Sequence, residues 1–142
     1  MSYAQELADI EGRFLANWTT TPVAVDEGVI IDPVSKAIVA QPDAAAWVRI
    51  TVRGAQEQQA SLGGAATTQY RNSGVIMISI FTPTRSGHAA GRALADTAGA
   101  IFRGQQFGGI TCRAASINEL GKIDGGWFQT NVDLAFFRDA FH

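Results

Sequence analysis

Few residues in this chain could do chemistry, and they are scattered. His88 and His142 are the histidines and Cys112 is the single cysteine. His88 falls in the first turn of a predicted helix, where the helix dipole disfavours an imidazolium, so it reads as a surface or packing histidine. Cys112 lies between Thr111 and Arg113 in a predicted strand, where a buried thiol is inert. One cysteine closes no disulfide within the chain and builds no cysteine-based zinc set. The carboxylates form no pair on one element at a working distance, and Asp26 and Asp124 read as turn residues. The strand, turn and helix around Thr82 to Gly87 have the outline of a phosphate loop. They lack both the triple-glycine dinucleotide pattern and a Gly-Lys-Ser/Thr ending. No nucleophile elbow and no Ser/His/Asp set can be assembled. The expectation is a protein without catalytic residues, metal or cofactor.

The remaining polar feature is Arg49 and Arg53 on the same strand as Trp47. It reads either as a solvated, ion-paired strand face or as a nucleic-acid face, and the first is the commoner arrangement. The formal net charge of −2 supplies no basic field to recruit nucleic acid. With 142 residues, 46% hydrophobic and 17% charged, the chain reads as one domain, 1–142, able to bury its own core. Its cations are mostly Arg, with Lys only at 36 and 122; Arg suits fixed, bidentate interface pairs. Residues 1–18 carry Glu6, Asp9, Glu11 and Arg13 and lack the basic start and apolar core of a signal peptide. No apolar run reaches membrane-spanning length. The expected place of synthesis is the cytoplasm.

The elements follow from periodicity. Leu7, Ile10, Phe14, Leu15 and Trp18 recur at helical spacing, with Gln5, Glu6, Asp9, Arg13 and Asn17 on the polar side. Ser2 fits an N-cap with Gln5 at the capping-box position, which gives a helix over Ser2–Asn17. Pro22 stops it, and Pro22–Val25 is predicted as a short edge strand or extended segment. Asp26–Asp43 reads as a long loop with a possible strand at Val29–Ile31, and Ile30 and Ile31 are expected to be exposed there for a partner.

Trp47–Arg53 alternates as a half-buried strand, with Val48, Ile50 and Val52 on one face. Gly54–Thr68 is predicted as a long flexible arm with its apex at Gly63-Gly64. Asn72-Ser73-Gly74 is predicted as a tight connection with Gly74 at positive φ. Val75–Phe81 is almost continuously apolar and is expected at the sheet centre, covered on both faces. After Thr82-Pro83, Ser86 can cap a helix whose buried stripe is Ala90, Leu94, Thr97, Ala98, Ile101 and Phe102, with Gly104 as its stop. Gly87, Gly91 and Gly99 weaken this helix unless it lies close against the sheet or another subunit. Ile110–Leu120 and Trp127–Arg138 form a hairpin about Asp124-Gly125. The fold class is α+β: a mostly antiparallel mixed sheet with two main helices on one face, a β-β-β-α-β-β core preceded by an N-terminal helix.

Taken in order, several landmarks resemble the small tail-terminator proteins of tailed bacteriophages. They begin with Trp18-Thr19-Thr20-Thr21-Pro22-Val23-Ala24-Val25-Asp26, then Trp47-Val48-Arg49 through Gly54 and Gln58 to Tyr70-Arg71-Asn72-Ser73-Gly74. They continue with Phe81-Thr82-Pro83, Gly87, Leu94-Ala95-Asp96, Phe102-Arg103-Gly104 and Gly126-Trp127-Phe128-Gln129-Thr130-Asn131-Val132. The 32–43 stretch has no evident counterpart. The resemblance implies a homohexameric ring, a structural virion protein at the head-proximal end of the tail. Such a ring caps the tail tube, ends tube polymerisation and offers a head–tail joining surface. It implies tail-tube and head-completion or connector proteins as partners, with double-stranded DNA passing through the lumen without specific binding and no membrane contact. It transfers no catalytic residue.

A slightly acidic chain suits a conduit, since it avoids the salt-dependent grip of phosphate neutralisation. The expected ring and tube contacts are Ile30, Ile31, Arg49, Arg53, Gln58, Gln59, Leu62, Gly63 and Gly64. The alternatives are another head–tail connector, a tail-tube subunit, or a small ligand-binding or enzymatic α+β domain.

Overall fold

The apolar stripe at the N-terminus makes helix α1, Tyr3–Asn17, and buries Ile10, Phe14 and, just beyond its end, Trp18. In the computed structural model, residues 3–25, 29–32, 34–35, 37–39, 45–59, 69–84, 87–123 and 126–141 are described. The expected caps Ser2 and Ser86 and the turn pair Asp124-Gly125 lie outside them. Trp18 closes the helix by donating its indole Nε1–H to Thr21 Oγ1 at 3.0 Å, which satisfies a buried donor just before Pro22 turns the chain.

Beyond α1 run β1 (Val23–Val25), β2 (Val29–Ile31), β3 (Ile38–Val39), β4 (Trp47–Gln59) and β5 (Gln69–Pro83). Helix α2 (Gly87–Phe102) follows, then β6 (Gln106–Phe107), β7 (Ile110–Ile123) and β8 (Trp127–Phe141). The eight strands form one sheet in the order β3-β2-β1-β4-β5-β8-β7-β6. Every pairing is antiparallel except β1 with β4. The class is therefore α+β with a mostly antiparallel mixed sheet, as expected, but with eight strands rather than the five of the expected core.

Long strands build the centre. Row by row, Val48, Ile80 and Thr130 align, then Ile50, Ile78, Val132 and Ile117, then Val52, Ile76, Leu134 and Ala115. Ile10, Phe14 and Trp18 near α1 and Ala95, Ala98, Ile101 and Phe102 of α2 share one core with the buried members of these rows. The two helices thus cover the same face. The period of two puts Trp47, Arg49, Thr51, Arg53, Val75, Met77, Ser79, Phe81, Asn131 and Asp133 on the other.

Several expectations change. Pro22–Val25 is not at an edge: β1 lies between β2 and β4, because Val29–Ile31 and Ile38–Val39 add two further strands outside it. Asn72-Ser73-Gly74 is no turn; it sits inside β5, paired with β4 and β8 on both sides. Gly74 is required there by crowding, since a Cβ would stand 2.5 Å from the Arg53 carbonyl oxygen and 2.8 Å from the Phe136 ring. The expected arm begins as strand: β4 runs on to Gln59, through a bulge between Gly54 and Gln56.

In α2 the buried stripe runs through Gly91, Ala95, Ala98, Gly99, Ile101 and Phe102, whereas Thr97 is exposed and bonds the Ala93 carbonyl of its own helix. Gly91 meets the sheet, as a Cβ there would lie 2.8 Å from Thr130 Oγ1. Gly104 takes φ 66° just past the helix end, the left-handed stop expected of it.

Candidate functional site

The residues expected to make contacts divide into three groups. Ile30 and Ile31 do not present a free apolar surface. Ile30 is 9% exposed and Ile31 is partly covered, because β2 is flanked by β1 and β3. The exposed apolar side chains of this region are Val34 and Ile38, at 75% and 76%, with Val39 beside them. Nothing in the sequence separated these from Ile30 and Ile31, since a two-residue edge strand has too few positions to show a period. Gln58 and Gln59 end β4, opposite Arg71 and Tyr70. Leu62, Gly63 and Gly64 lie outside the described residues.

Arg49 and Arg53 are both exposed, on the sheet face away from the helices. The Arg49 guanidinium lies 5.4 Å from the centre of the Phe81 ring, and Phe81 stacks on Trp47 at 4.3 Å. Trp127 meets Trp47 edge-on. Farther along the same face Arg71 and Arg113 both lie over the Phe137 ring, at 4.4 and 5.1 Å. Each cation lies over an aromatic ring at cation–π distance. This pattern of arginines laid on rings was legible only in its Arg49 and Trp47 part, because register alone brings Arg71 and Arg113 to one Phe. Two buried polar atoms on this face, Trp47 Nε1 and Asp133 Oδ1, have no hydrogen-bond partner among the described residues.

A cleft of about 540 Å³ runs beside the outer edge of β4, between Leu7 and Glu11 of α1 and Arg49, Ile50, Thr51, Val52, Arg53 and Met77. Among the described residues, β1 pairs with β4 only at Val48 and Arg49. A second hollow lies on the helix side between α2 and β7, lined by Arg92, Asp96, Ile117 and Glu119, where Arg92 and Glu119 form an ion pair. Glu119 raises the Arg92 pKa, through its hydrogen bond first and its charge second.

No reacting constellation is assembled among the described residues. Cys112 is buried, and that burial pushes its thiol up to about 11, against a smaller opposing pull from the Arg13 charge. No group of three or more His, Cys, Asp or Glu side chains among the described residues could hold a metal ion. No helix among them is long and apolar enough to cross a membrane.

Comparison with known proteins gives the fold and no more. No family model matches the chain, and no curated protein matches it. Nine chains of solved structure match. One of them, a protein without a descriptive name, is 20% identical with a TM-score of 0.59, the match covering 99% of each chain. That shared length shows one architecture throughout, with no function attached to it.

Proposed function

We propose that this chain is a phage tail terminator: a ring-forming structural protein that caps the tail tube and presents a surface for head joining. The observation that carries this reading is the ordered set of landmarks from Trp18 to Val132, which spans most of the chain at family-like spacing. Those landmarks coincide with positions that hold the fold. Trp18 and Thr21 lock the end of α1. Gly74 admits the Phe136 ring, and on the sheet face away from the helices Trp47 stacks on Phe81 and meets Trp127 edge-on. A scaffold that spends its distinctive residues on architecture suits an assembly component.

The ring would be homohexameric, with tail-tube and head-completion proteins on its two faces and double-stranded DNA passing through. Arg49 and Arg53 remain candidates for subunit contacts, with their partners across the interface supplied by another chain. A tail-tube subunit or a head–tail connector is the second reading, since either could share this α+β architecture.

Size-exclusion chromatography with light scattering, followed by negative-stain imaging, separates these readings. A terminator gives closed rings that stop growing. Long tubes would identify a tube subunit instead, and a strict monomer across a rising concentration series would remove the ring reading altogether.

A further inference from the structure

Among the described residues the exposed large apolar side chains fall into two groups, Val34, Ile38 and Val39 about β3, and Ile117 and Leu120 on β7. The groups stand toward opposite ends of the sheet. β3 is its last strand on one side. On the other, β6 pairs with β7 only at Ile110 and Thr111, and Gly104 and Gln105 bond Arg113 and Cys112. From Ala115 to Glu119, β7 has no described outer neighbour and runs regularly between the shifts at Cys112/Ala115 and Glu119/Gly121. Both edges are open at the apolar residues themselves, and an open edge is a template for another strand.

The two backbones are in phase for pairing. The Asp32 N–H bonds the Ala37 carbonyl, so the alternation of an antiparallel ladder turns the N–H and C=O of Ile38 away from β2, toward the free edge. On β7 the Cys112 N–H turns outward, to Gln105. Its partner Phe136 therefore turns toward β5, and Leu134 and Val132 do likewise, since β8 pairs with β5 without a register shift. Their own partners, Ala115 and Ile117, are then turned outward as well.

The faces agree too. Ile38 shares a row with Ile31, Val23 and Val48, and Ile117 shares one with Val132, Ile78 and Ile50. Val23, Val48, Ile50, Ile78 and Val132 all belong to the core beneath the helices. Set opposite each other, the two isoleucines keep the helices of both copies on one side of the joined sheet. Within a copy β3 runs parallel to β4 and β7 antiparallel to it, so an antiparallel junction keeps the strand directions as well. Every copy can repeat the step head to tail. Within one copy Ile38 lies in the row of Glu119, so the junction staggers successive copies by two residues, and a sheet of tilted strands closes only with a stagger. Ile117 also lines the hollow of about 470 Å³ with Arg92, Asp96 and Glu119, which leaves room for an incoming Ile38.

We infer that copies of this chain join by antiparallel pairing of β3 (Ile38–Val39) of one with the Ala115–Glu119 stretch of β7 in the next, Ile38 opposite Ile117. The occupant, a second copy, rests on the ring reading, and the contact is the one between ring neighbours.

The test is a Val39→Cys/Ser116→Cys pair in a Cys112→Ala background. These positions face each other across the junction, beside the Ile38–Ile117 pair, where neither residue turns its backbone to the other strand and Cα atoms approach to disulfide distance. Within one copy they are six strand spacings apart, roughly 29 Å along the sheet. Oxidation should therefore yield a ladder of linked copies ending at a closed ring on a non-reducing gel, while each single-cysteine variant gives no ladder. Independently, Ile38→Asp and Ile117→Asp should each shift the light-scattering mass to that of a monomer with little change in thermal midpoint, since both side chains are exposed in the single copy. An assembled protein that gives no ladder, or that stays assembled with both Asp variants, would overturn the β3–β7 contact and leave the ring reading standing. A monomer at every concentration would overturn both.

Discussion

Arg138 near the end of β8 donates its Nε–H to Glu6 Oε1 on the first turn of α1 at 3.1 Å, and the two side chains are 1% and 5% exposed. This charged contact sits at one end of the core, where Arg138 shares a row with buried Asn72. Once α1 docks, neither charge can return to water. Removing one member of a buried charge pair costs up to about 3–5 kcal/mol, whereas removing both exchanges a desolvated pair for apolar packing. Glu6→Leu is thus expected to lower stability by about 3 kcal/mol in urea unfolding, and Glu6→Leu/Arg138→Met to recover most of that loss. Additive losses in the double variant would show that the two residues act separately.

Two glycines give opposite expectations for the same substitution. Gly74→Ala places a methyl group against the Arg53 carbonyl oxygen and the Phe136 ring, and a paired backbone in the middle of the sheet cannot retreat. The expected loss is about 3 kcal/mol, at the upper end for overpacking. Gly12 sits on an exposed turn of α1 with nothing within 4 Å of a new Cβ. Gly12→Ala should gain about 0.5–1 kcal/mol from helix propensity. Thermal melts of the two variants should move in opposite directions.

The strongly periodic parts of the chain were legible. α1, the alternating start of β4, the apolar core of β5, α2 and the β7–β8 hairpin all carry their period in the sequence. What escaped depends on distant partners. Glu6 looks like a polar-face residue until Arg138, 132 positions away, is folded over it. Asn72-Ser73-Gly74 has the composition of a turn, and only the Phe136 ring against Gly74 shows that the glycine makes room instead. Of the expected contact residues, Arg49 and Arg53 lie on one exposed face, whereas Ile30 is buried where β2 pairs between β1 and β3, a pairing that local pattern did not reveal.

Cys112 should be silent. With its pKa raised from 9.0 to about 11 by burial, the folded chain holds a neutral thiol at pH 8, and a thiol is a poor nucleophile. Iodoacetamide labelling at pH 8 is expected only on unfolding. The linkage has a definite sign. The unfolded thiol ionises from about pH 9 and the folded one only near 11, so its contribution is whole below pH 9 and is lost between 9 and 11. Stability should fall more steeply with pH in the native chain than in Cys112→Ala across that window. Parallel curves would mean that the folded thiol ionises as readily as the free one.

The approach of α2 to the sheet can be tested at one contact. A Cβ on Gly91 would stand 2.8 Å from Thr130 Oγ1 but 3.7 Å from Thr130 Cβ, so the obstacle is the hydroxyl and not the strand. Gly91→Ala gains helix propensity of about 1 kcal/mol and loses more to that clash, for a net destabilisation. In a Thr130→Ala background the hydroxyl is absent and the remaining contact is an ordinary one. The same Gly91→Ala change should then become neutral or stabilising, with a coupling of about 1–2 kcal/mol between the two sites in a double-mutant cycle. A Gly91→Ala penalty of equal size in both backgrounds would place the limiting contact elsewhere. Thr82 Oγ1, 3.8 Å from the same point and buried without a partner among the described residues, would be the next to remove.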